Sequence, residues 1–262
     1  MEQPRGLVVV VDGPSGSGKS SAARGVAARL GMHYLDTGAM YRAATWWLLH
    51  HDIDVDDAAA VAAAMPEISV SVTTDPAQPQ VFVNDVDVTV AIRERGVTDA
   101  VSAVSAVPEV RQRMVAVQQQ VLADGDVVAE GRDLGTVVAP HADLKVFLTA
   151  DSSARAQRRQ AELTSDVSVA DTQEDLLRRD HRDSTRELSP LTMADDAVLL
   201  DSTHLSLDEV VERLVALVQA TSSSGQSHDG ARDSKNSGDG RADGPTVSVG
   251  EPGTAPGLEV TS

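Results

Sequence analysis

A glycine-rich loop near the N-terminus constrains the fold of this chain more than any other feature. Residues 13–20 have the spacing G-x-x-x-x-G-K-[ST] of a phosphate-binding P-loop. The β-branched run 7–11 before the loop predicts a buried parallel strand, and residues 21–30 after it predict a helix. A strand, a glycine loop and a helix in this order form the context that the motif requires. The alternative is a chance glycine turn before a helix. It would require that the strand before the loop and the helix after it match the motif by coincidence.

Each part of this loop has a chemical role toward bound phosphates. Its glycines let backbone N–H groups approach phosphate oxygens, and the helix N-terminus adds partial positive charge. Lys19 can reach the β- and γ-phosphates, and the Ser20 hydroxyl can bind Mg²⁺. We therefore expect a nucleoside triphosphate with Mg²⁺, and Ser20 as the metal ligand. The predicted binding residues are Gly13, Pro14, Ser15, Gly16, Ser17, Gly18, Lys19, Ser20 and Ser21.

The composition limits the partners that the protein can bind. The chain has 262 residues and a net charge of −18, which disfavours a broad electrostatic surface for nucleic acid. It has no cysteine, which excludes disulfides and thiolate metal sites. No apolar run approaches the roughly 20 residues of a membrane span, and residues 1–5 lack the apolar core of a signal peptide. We expect a cytoplasmic monomer that acts on small molecules, with no nucleic-acid or membrane partner.

Strand and helix patterns alternate along the chain, except for one insert. Segments 68–72 and 81–88 alternate with period two around turn residues 75–79, which predicts a small antiparallel unit. Polar residues 164–172 lack a helical period and predict a short mobile lid. The predicted strands of the main sheet are 7–11, 33–35, 126–130, 144–148 and 197–201. The predicted helices are 21–30, 37–49, 52–64, 97–107 (or a turn), 108–122, 152–163, 174–182 and 207–219, the last capped by Ser206 with Glu209.

Arginines concentrate on two of the predicted helices although the chain is acidic. Three share one face of helix 152–163 by their i, i+3, i+4 spacing. Two more and an aspartate have i, i+4, i+7 spacing, which would place them on one side of the next helix if it continues past residue 182. Such faces predict an anion site, while a solvated stripe paired with carboxylates is the alternative. The residues are Arg155, Arg158, Arg159, Arg179, Asp183 and Arg186.

Three further motifs give the chain a resemblance to a known family. They are residues 35–42, residues 130–136, and residues 179–186 followed by 190–197. In this order behind the P-loop they resemble bacterial cytidylate (CMP/dCMP) kinase, over about residues 6–219. The resemblance implies an α/β P-loop kinase three-layer fold, with a central parallel sheet flanked by helices, a small antiparallel NMP-binding insert and a short lid.

The resemblance also implies the domain limits. The kinase domain spans 6–220, with the NMP-binding insert at about 66–92 and the lid at about 156–178. From residue 221 Ser and Gly dominate and aromatic residues are absent. Such a segment cannot bury enough apolar surface to offset its chain entropy, so we predict a disordered tail over 221–262.

By the same resemblance, the protein transfers the γ-phosphoryl group of ATP to CMP or dCMP, giving ADP and CDP or dCDP in pyrimidine nucleotide metabolism. No general base is needed, because the accepting phosphate oxygen is already ionised at neutral pH. Glu130 would either order Mg²⁺ waters or bond the P-loop Ser or Lys. Cations that would stabilise the transferring group are Lys19, Arg155, Arg158, Arg159 and Arg179.

Residues for the acceptor follow from the resemblance too. Positions similar to those that meet the CMP phosphate are Thr37, Tyr41, Arg42 and Arg132, and those near the ribose are Arg179 and Asp183. Positions similar to those that recognise cytosine are Ser102, Arg111, Asp133 and Arg186. A carboxylate that accepts from the cytosine amino group, with an arginine that donates to its carbonyl, complements cytosine and opposes uracil.

Other readings of the P-loop remain open. A P-loop kinase could also use a different acceptor, such as another nucleotide or shikimate, and the insert and the Gly-Arg-Asp motif count against shikimate. A second alternative is a nucleotide-operated switch that hydrolyses its nucleotide slowly. A switch that uses GTP would need the guanine-binding motif Asn-Lys-x-Asp, and the sequence lacks it. A third alternative is a structural protein that has kept the loop without turnover.

Overall fold

The computed structural model describes residues 6–162, 168–226 and 246–247. The strands are β1 (Val8–Asp12), β2 (His33–Asp36), β3 (Val70–Thr73), β4 (Val81–Val83), β5 (Val86–Asp87), β6 (Val127–Gly131), β7 (Leu144–Thr149), β8 (Val198–Asp201) and β9 (Thr246–Val247). The helices are α1 (Lys19–Leu30), α2 (Thr37–His50), α3 (Ala58–Ala64), α4 (Arg95–Val104), α5 (Pro108–Ala123), α6 (Ser152–Glu162), α7 (Val169–Thr185) and α8 (Leu207–Gln226). In these ranges no helix has the length and apolar character needed to cross a membrane.

A five-stranded parallel sheet in the order β2-β6-β1-β7-β8 forms the centre of the fold. Every residue of β1 and β6 is buried, as expected for strands covered on both faces. Asp12 lies opposite Gly131, and Asp36 lies opposite Glu130. The register therefore brings the P-loop, the start of α2 and the segment after β6 to one edge, where ligands bind in open α/β sheets.

Two aliphatic cores cover the two faces of this sheet. Val9 and Val11 pack with α1 and α8 on one face, while Val8 and Val10 pack with α2, α5 and the insert on the other. Successive side chains of a strand point to opposite faces, so the single valine run of β1 serves both cores. The predicted three-layer α/β fold is confirmed.

The predicted antiparallel insert is present as a small sheet in the order β5-β4-β3-β9. Asn84 and Asp85 join β4 to β5 with φ of 48° and 65°, the left-handed geometry of a type I′ hairpin turn. The fourth strand, β9, lies outside the insert and pairs antiparallel with β3, with Val247 opposite Val72, so the prediction of a disordered tail is wrong at residues 246–247.

Helix α7 begins earlier than the sequence indicates. Its N-cap is Ser168, whose Oγ accepts from the Asp171 backbone N–H at 3.1 Å and donates to the Asp171 carboxylate at 2.7 Å. This cap starts a helix within the polar segment 164–172, so the prediction of an irregular lid is wrong for residues 169–172. Residues 163–167 of the predicted lid lie outside the described residues.

Helix α8 continues beyond its predicted end at Gln219. Hydroxyls of Thr221, Ser222 and Ser223 donate to the carbonyl oxygens four residues earlier, at 3.0, 3.0 and 2.9 Å. These local bonds let polar residues extend the helix, so the predicted start of the tail at 221 is wrong. Residues 227–245 and 248–262 of the predicted tail lie outside the described residues.

Candidate active site

A cavity of about 630 Å³ opens at the carboxyl edge of the sheet, between the P-loop, the insert and α7. Most of the predicted site residues line it, although they come from distant parts of the sequence. These lining residues are Ser15, Gly16, Gly18, Lys19, Ser20, Ser21, Thr37, Tyr41, Arg42, Ser102, Arg111, Arg132, Asp133, Arg159, Arg179, Asp183 and Arg186. Gly13, Pro14, Ser17, Arg155 and Arg158 are not among the lining residues.

The charge of this cavity is opposite to that of the chain. Its lining carries Lys19 and eight arginines, against four carboxylates. The whole chain has a net charge of −18, so a local excess of cations must serve a local purpose. This excess of cations makes the cavity suited to anionic ligands.

The P-loop has the backbone that phosphate binding requires. Gly13 has φ of 149°, and a Cβ there would lie 2.1 Å from the Leu148 carbonyl oxygen, so only glycine fits. Lys19 is buried and donates from Nζ to the Pro14 carbonyl oxygen at 2.7 Å. Burial, and then Arg132 nearby, lower the pKa of Lys19 to about 7. A bound triphosphate would favour the ammonium form and draw it into the cavity.

A carboxyl pair lies directly beside the loop. Ser20 donates from Oγ to Glu130 Oε1 at 2.7 Å. Glu130 therefore makes the predicted contact with the P-loop serine, which is one of its two expected roles. Burial, and then Asp36, raise the pKa of Glu130 to about 7. Burial would also raise the pKa of Asp36, but Arg42 at 2.9 Å holds it below its usual value.

These oxygens fit a hard divalent cation. The described residues contain no group of three or more His, Cys, Asp or Glu placed to hold a metal ion. Mg²⁺ in kinase sites is typically held by substrate phosphates, waters and one or two protein oxygens. The Ser20 hydroxyl, with the Glu130 carboxylate behind it, suits that mode of binding.

Glutamine at position 130 is expected to raise the melting temperature at pH 8 by roughly 2 to 4 °C, the equivalent of about 1 kcal/mol in a domain of this size. The raised pKa of Glu130 means that its buried ionised form costs stability, progressively from its unfolded pKa of 4.5 to about 7. The gain should therefore be smaller at pH 5 than at pH 8. Thermal unfolding at both pH values tests this, with exposed Glu212→Gln as the control. An equal gain at both pH values would contradict it.

Cations for a phosphate group gather near β6 and α7. Arg132 pairs with Asp183 at 3.1 Å, and Arg42 pairs with Asp36. Arg179 differs, because its Nε is buried and has no hydrogen-bond partner among the described residues. Burial, and then Arg132, lower the pKa of Arg179 to about 10. This buried guanidinium nitrogen is therefore available to donate to a ligand oxygen.

Thr37, a predicted contact of the CMP phosphate, uses its hydroxyl proton within the protein in this structure. Its Oγ1 donates to the Glu130 carbonyl oxygen at 2.7 Å. The contact joins the start of α2 to the end of β6. Thr37 also lines the cavity, as predicted.

Three predicted base-recognition residues form one buried cluster. Asp133 lies between Arg111, which bonds its Oδ2, and Arg186, whose Nη2 is 3.6 Å from its Oδ1. Arg111 also donates to Ser189 Oγ at 3.1 Å and lies 5.5 Å from the centre of the Tyr41 ring. The cluster thus presents a carboxylate and two guanidinium groups side by side. Ser102 lines the same cavity.

Arg155 and Arg158 are not placed where the helix face predicts. Arg158 donates to Ser202 Oγ at 2.9 Å and to the Ser17 carbonyl oxygen at 3.4 Å. Arg155 donates to the Ser15 carbonyl oxygen at 2.9 Å. Both therefore hold the P-loop backbone, and of the three arginines on α6 the cavity is lined by Arg159.

Sequence reasoning also missed carboxylates that fix these parts. Asp12 accepts from the backbone N–H groups of Leu134 at 3.0 Å and Gly135 at 2.7 Å, directly after Asp133. Asp36 caps α2 by accepting from the Ala39 N–H at 2.8 Å. The Asp36 cap has a sequence signal, an Asp before a helix, whereas the Asp12 contact spans the chain and has none.

Comparison with known proteins agrees with this geometry. The family model described as cytidylate kinase matches residues 9–220. A protein named cytidylate kinase from Streptomyces coelicolor is 53% identical over 215 residues, which cover 81% of this chain and 93% of that protein. The cytidylate kinase of Rhodococcus opacus is 50% identical over 224 residues, 84% of this chain and 98% of that protein. That of Streptomyces avermitilis is 50% identical over 215 residues, with coverages of 81% and 93%.

Proposed function

The chain belongs to the cytidylate kinase family, and we propose that it transfers the γ-phosphoryl group of ATP to CMP or dCMP, giving ADP and CDP or dCDP. One observation carries the proposal for this chain: a single cavity joins the P-loop to the Arg111–Asp133–Arg186 cluster. A donor triphosphate and a cytosine-bearing acceptor can therefore face each other across it. The protein is an ATP-dependent phosphotransferase.

On the donor side, we propose that the P-loop amides and Lys19 hold the β- and γ-phosphates of ATP. Ser20 would bind Mg²⁺, with Glu130 orienting its hydroxyl. The metal, when bound, neutralises phosphate charge and aligns the donor. The role of Arg155 and Arg158 in this proposal is to keep the loop in shape, since both donate to its carbonyl oxygens.

On the acceptor side, we propose that Arg42, Arg132 and Arg179 bind the phosphate of CMP. Arg179 supports this assignment most strongly, because its buried Nε has no partner within the described chain. Asp183, which pairs with Arg132 and lines the cavity, would accept from a ribose hydroxyl in this proposal. Arginines around both phosphates would offset the repulsion between two anionic substrates, the main obstacle to this reaction.

We propose that cytosine is read by Asp133, Arg111 and Arg186, with Ser102 beside them. A carboxylate accepts from the cytosine amino group, and a guanidinium donates to the ring carbonyl. Uracil presents a carbonyl where cytosine has its amino group, so it would face the carboxylate without a donor. We further propose that the protein acts as a monomer in the cytoplasm.

Turnover with a panel of acceptors tests this function. ADP release from ATP and Mg²⁺ would be measured with CMP, dCMP, UMP, AMP and shikimate in turn. We expect CMP and dCMP to be the preferred acceptors and UMP to be poor. Preferential use of AMP or shikimate would overturn the proposal, and ATP hydrolysis unaffected by any acceptor would favour a nucleotide-operated switch.

A further inference from the structure

Asp180 of α7 contacts the P-loop at a single residue, Ser15. Its Oδ1 accepts a hydrogen bond from the Ser15 backbone N–H at 3.1 Å. Its Oδ2 pairs with Arg155 of α6, and Arg155 also donates to the Ser15 carbonyl oxygen at 2.9 Å. The Arg155–Asp180 pair therefore holds both backbone polar groups of one P-loop residue.

A carboxylate beside a triphosphate loop is unexpected on electrostatic grounds, because it repels the ligand. Arg155 offsets that repulsion, since its side chain is 7% exposed and Asp180 is 16% exposed in a direct ion pair. The guanidinium is held in place by a further bond from Nε to the Ala150 carbonyl oxygen at 3.0 Å. The pair adds no net charge, and its hydrogen bonds to Ser15 fix the position of the loop.

Close packing reinforces the same contact. A Cβ on Gly16 would lie 3.1 Å from the Arg155 carbonyl oxygen and 3.4 Å from Leu176 Cδ1, so α6 and α7 press directly on the loop. Gln173 of α7 donates to Ser152 Oγ of α6 at 2.7 Å, which ties the two helices together. The two helices and the loop thus form one packed unit.

Neighbouring residues of α7 serve the other side. Arg179 and Asp183 line the cavity, where Asp183 pairs with Arg132. One helix therefore contacts the P-loop through Asp180 and the proposed acceptor site through Arg179 and Asp183. Any shift of α7 relative to the loop would change the distance between Arg179 and a phosphate held there.

We propose that Asp180 is a positioning residue that, with Arg155, locks α7 onto the P-loop and so aligns Arg179 with the phosphates during transfer. This inference rests on the phosphoryl transfer proposed above. Neither side chain of the pair touches a substrate in it. Loss of the lock should reduce kcat more than it raises KM, because a misplacement of about 1 Å can cost on the order of a hundredfold in rate.

A double-mutant cycle tests the proposal. Asp180→Ala and Arg155→Ala should each lower kcat with CMP by about tenfold or more, and the double variant should lose about as much as the worse single variant. Asp180→Asn, which keeps the volume and an oxygen for the Ser15 N–H, guards against a simple folding defect. Asp175→Ala on the same helix removes an exposed carboxylate that also pairs with an arginine, and should leave kcat within about twofold of wild type.

Two further readouts separate positioning from general damage. The ratio of kcat/KM for CMP over UMP should stay unchanged in Asp180→Ala, because the Arg111–Asp133–Arg186 cluster does not contact it. Amide hydrogen exchange of residues 15–18 without substrates should be faster in Asp180→Ala than in wild type or Asp175→Ala. Additive losses in the cycle, or unchanged exchange of the loop, would overturn the proposal. The exchange measurement needs no substrate, so it tests the Asp180 contact even if the wild-type protein fails to phosphorylate CMP. Failure of this inference can therefore be distinguished from failure of the proposed function.

Discussion

Lys19→Ala is expected to lower phosphoryl transfer from ATP to CMP by at least about a hundredfold while the protein stays folded. The Lys19 side chain is buried in the P-loop, where Nζ donates to the Pro14 carbonyl oxygen at 2.7 Å. Burial holds the pKa of Lys19 down to about 7, so the cation is poorly solvated before the ligand arrives. Triphosphate oxygens would replace the missing solvent and meet a positive charge that alanine cannot supply.

Coupled ADP release with saturating CMP measures this loss, and circular dichroism melting checks the fold. Arg178→Ala is the matched control, because it removes one cation from an exposed position on α7 that does not line the cavity. The control should retain turnover within about twofold. Near-normal turnover of Lys19→Ala would contradict its assignment to the transferring phosphate.

Asp133→Ala is expected to lower kcat/KM for CMP on the order of a hundredfold and to affect UMP much less. The reason is that, in the proposed site, Asp133 would accept from the cytosine amino group, and uracil has no such donor. The ratio of kcat/KM for CMP to kcat/KM for UMP should therefore decrease. Equal losses for CMP and UMP would make Asp133 structural and would remove the proposed basis of base recognition.

A second variant is needed at this position, because Asp133 also pairs with two arginines. Alanine leaves Arg111 and Arg186 without that partner. Asp133→Asn keeps the volume and one oxygen, and its amide can donate to the uracil carbonyl. Asp133→Asn should therefore lower the ratio of kcat/KM for CMP over UMP more than Asp133→Ala does. Asp195→Ala, an exposed carboxylate outside the cavity, serves as the control.

Local chemistry allowed much of this fold to be predicted. The valine run of β1, the spacing of Gly13 to Ser20 and the turn at Asn84 each act through neighbours in sequence. Such features determine strand, loop and helix with little help from distant residues. The resemblance then identified the residues expected to contact the acceptor, and all ten of them line one cavity.

Long-range packing explains what the sequence did not reveal. The spacing of Arg155, Arg158 and Arg159 predicts a shared face, but only the position of α6 against the P-loop decides which of them meets the cavity. Asp12 and Asp180 likewise act on residues more than a hundred positions away. A polar segment can also become helical through one cap, as Ser168 shows.

Competition between CMP and UMP tests the central claim most directly. Equal concentrations of both would be offered to the wild-type protein with ATP and Mg²⁺, and the initial formation of CDP and UDP would be followed by chromatography. If a cavity built around Asp133 reads the cytosine amino group, CDP should form on the order of a hundredfold faster than UDP. Formation of CDP and UDP at similar rates would contradict the claim that this chain selects cytidine nucleotides.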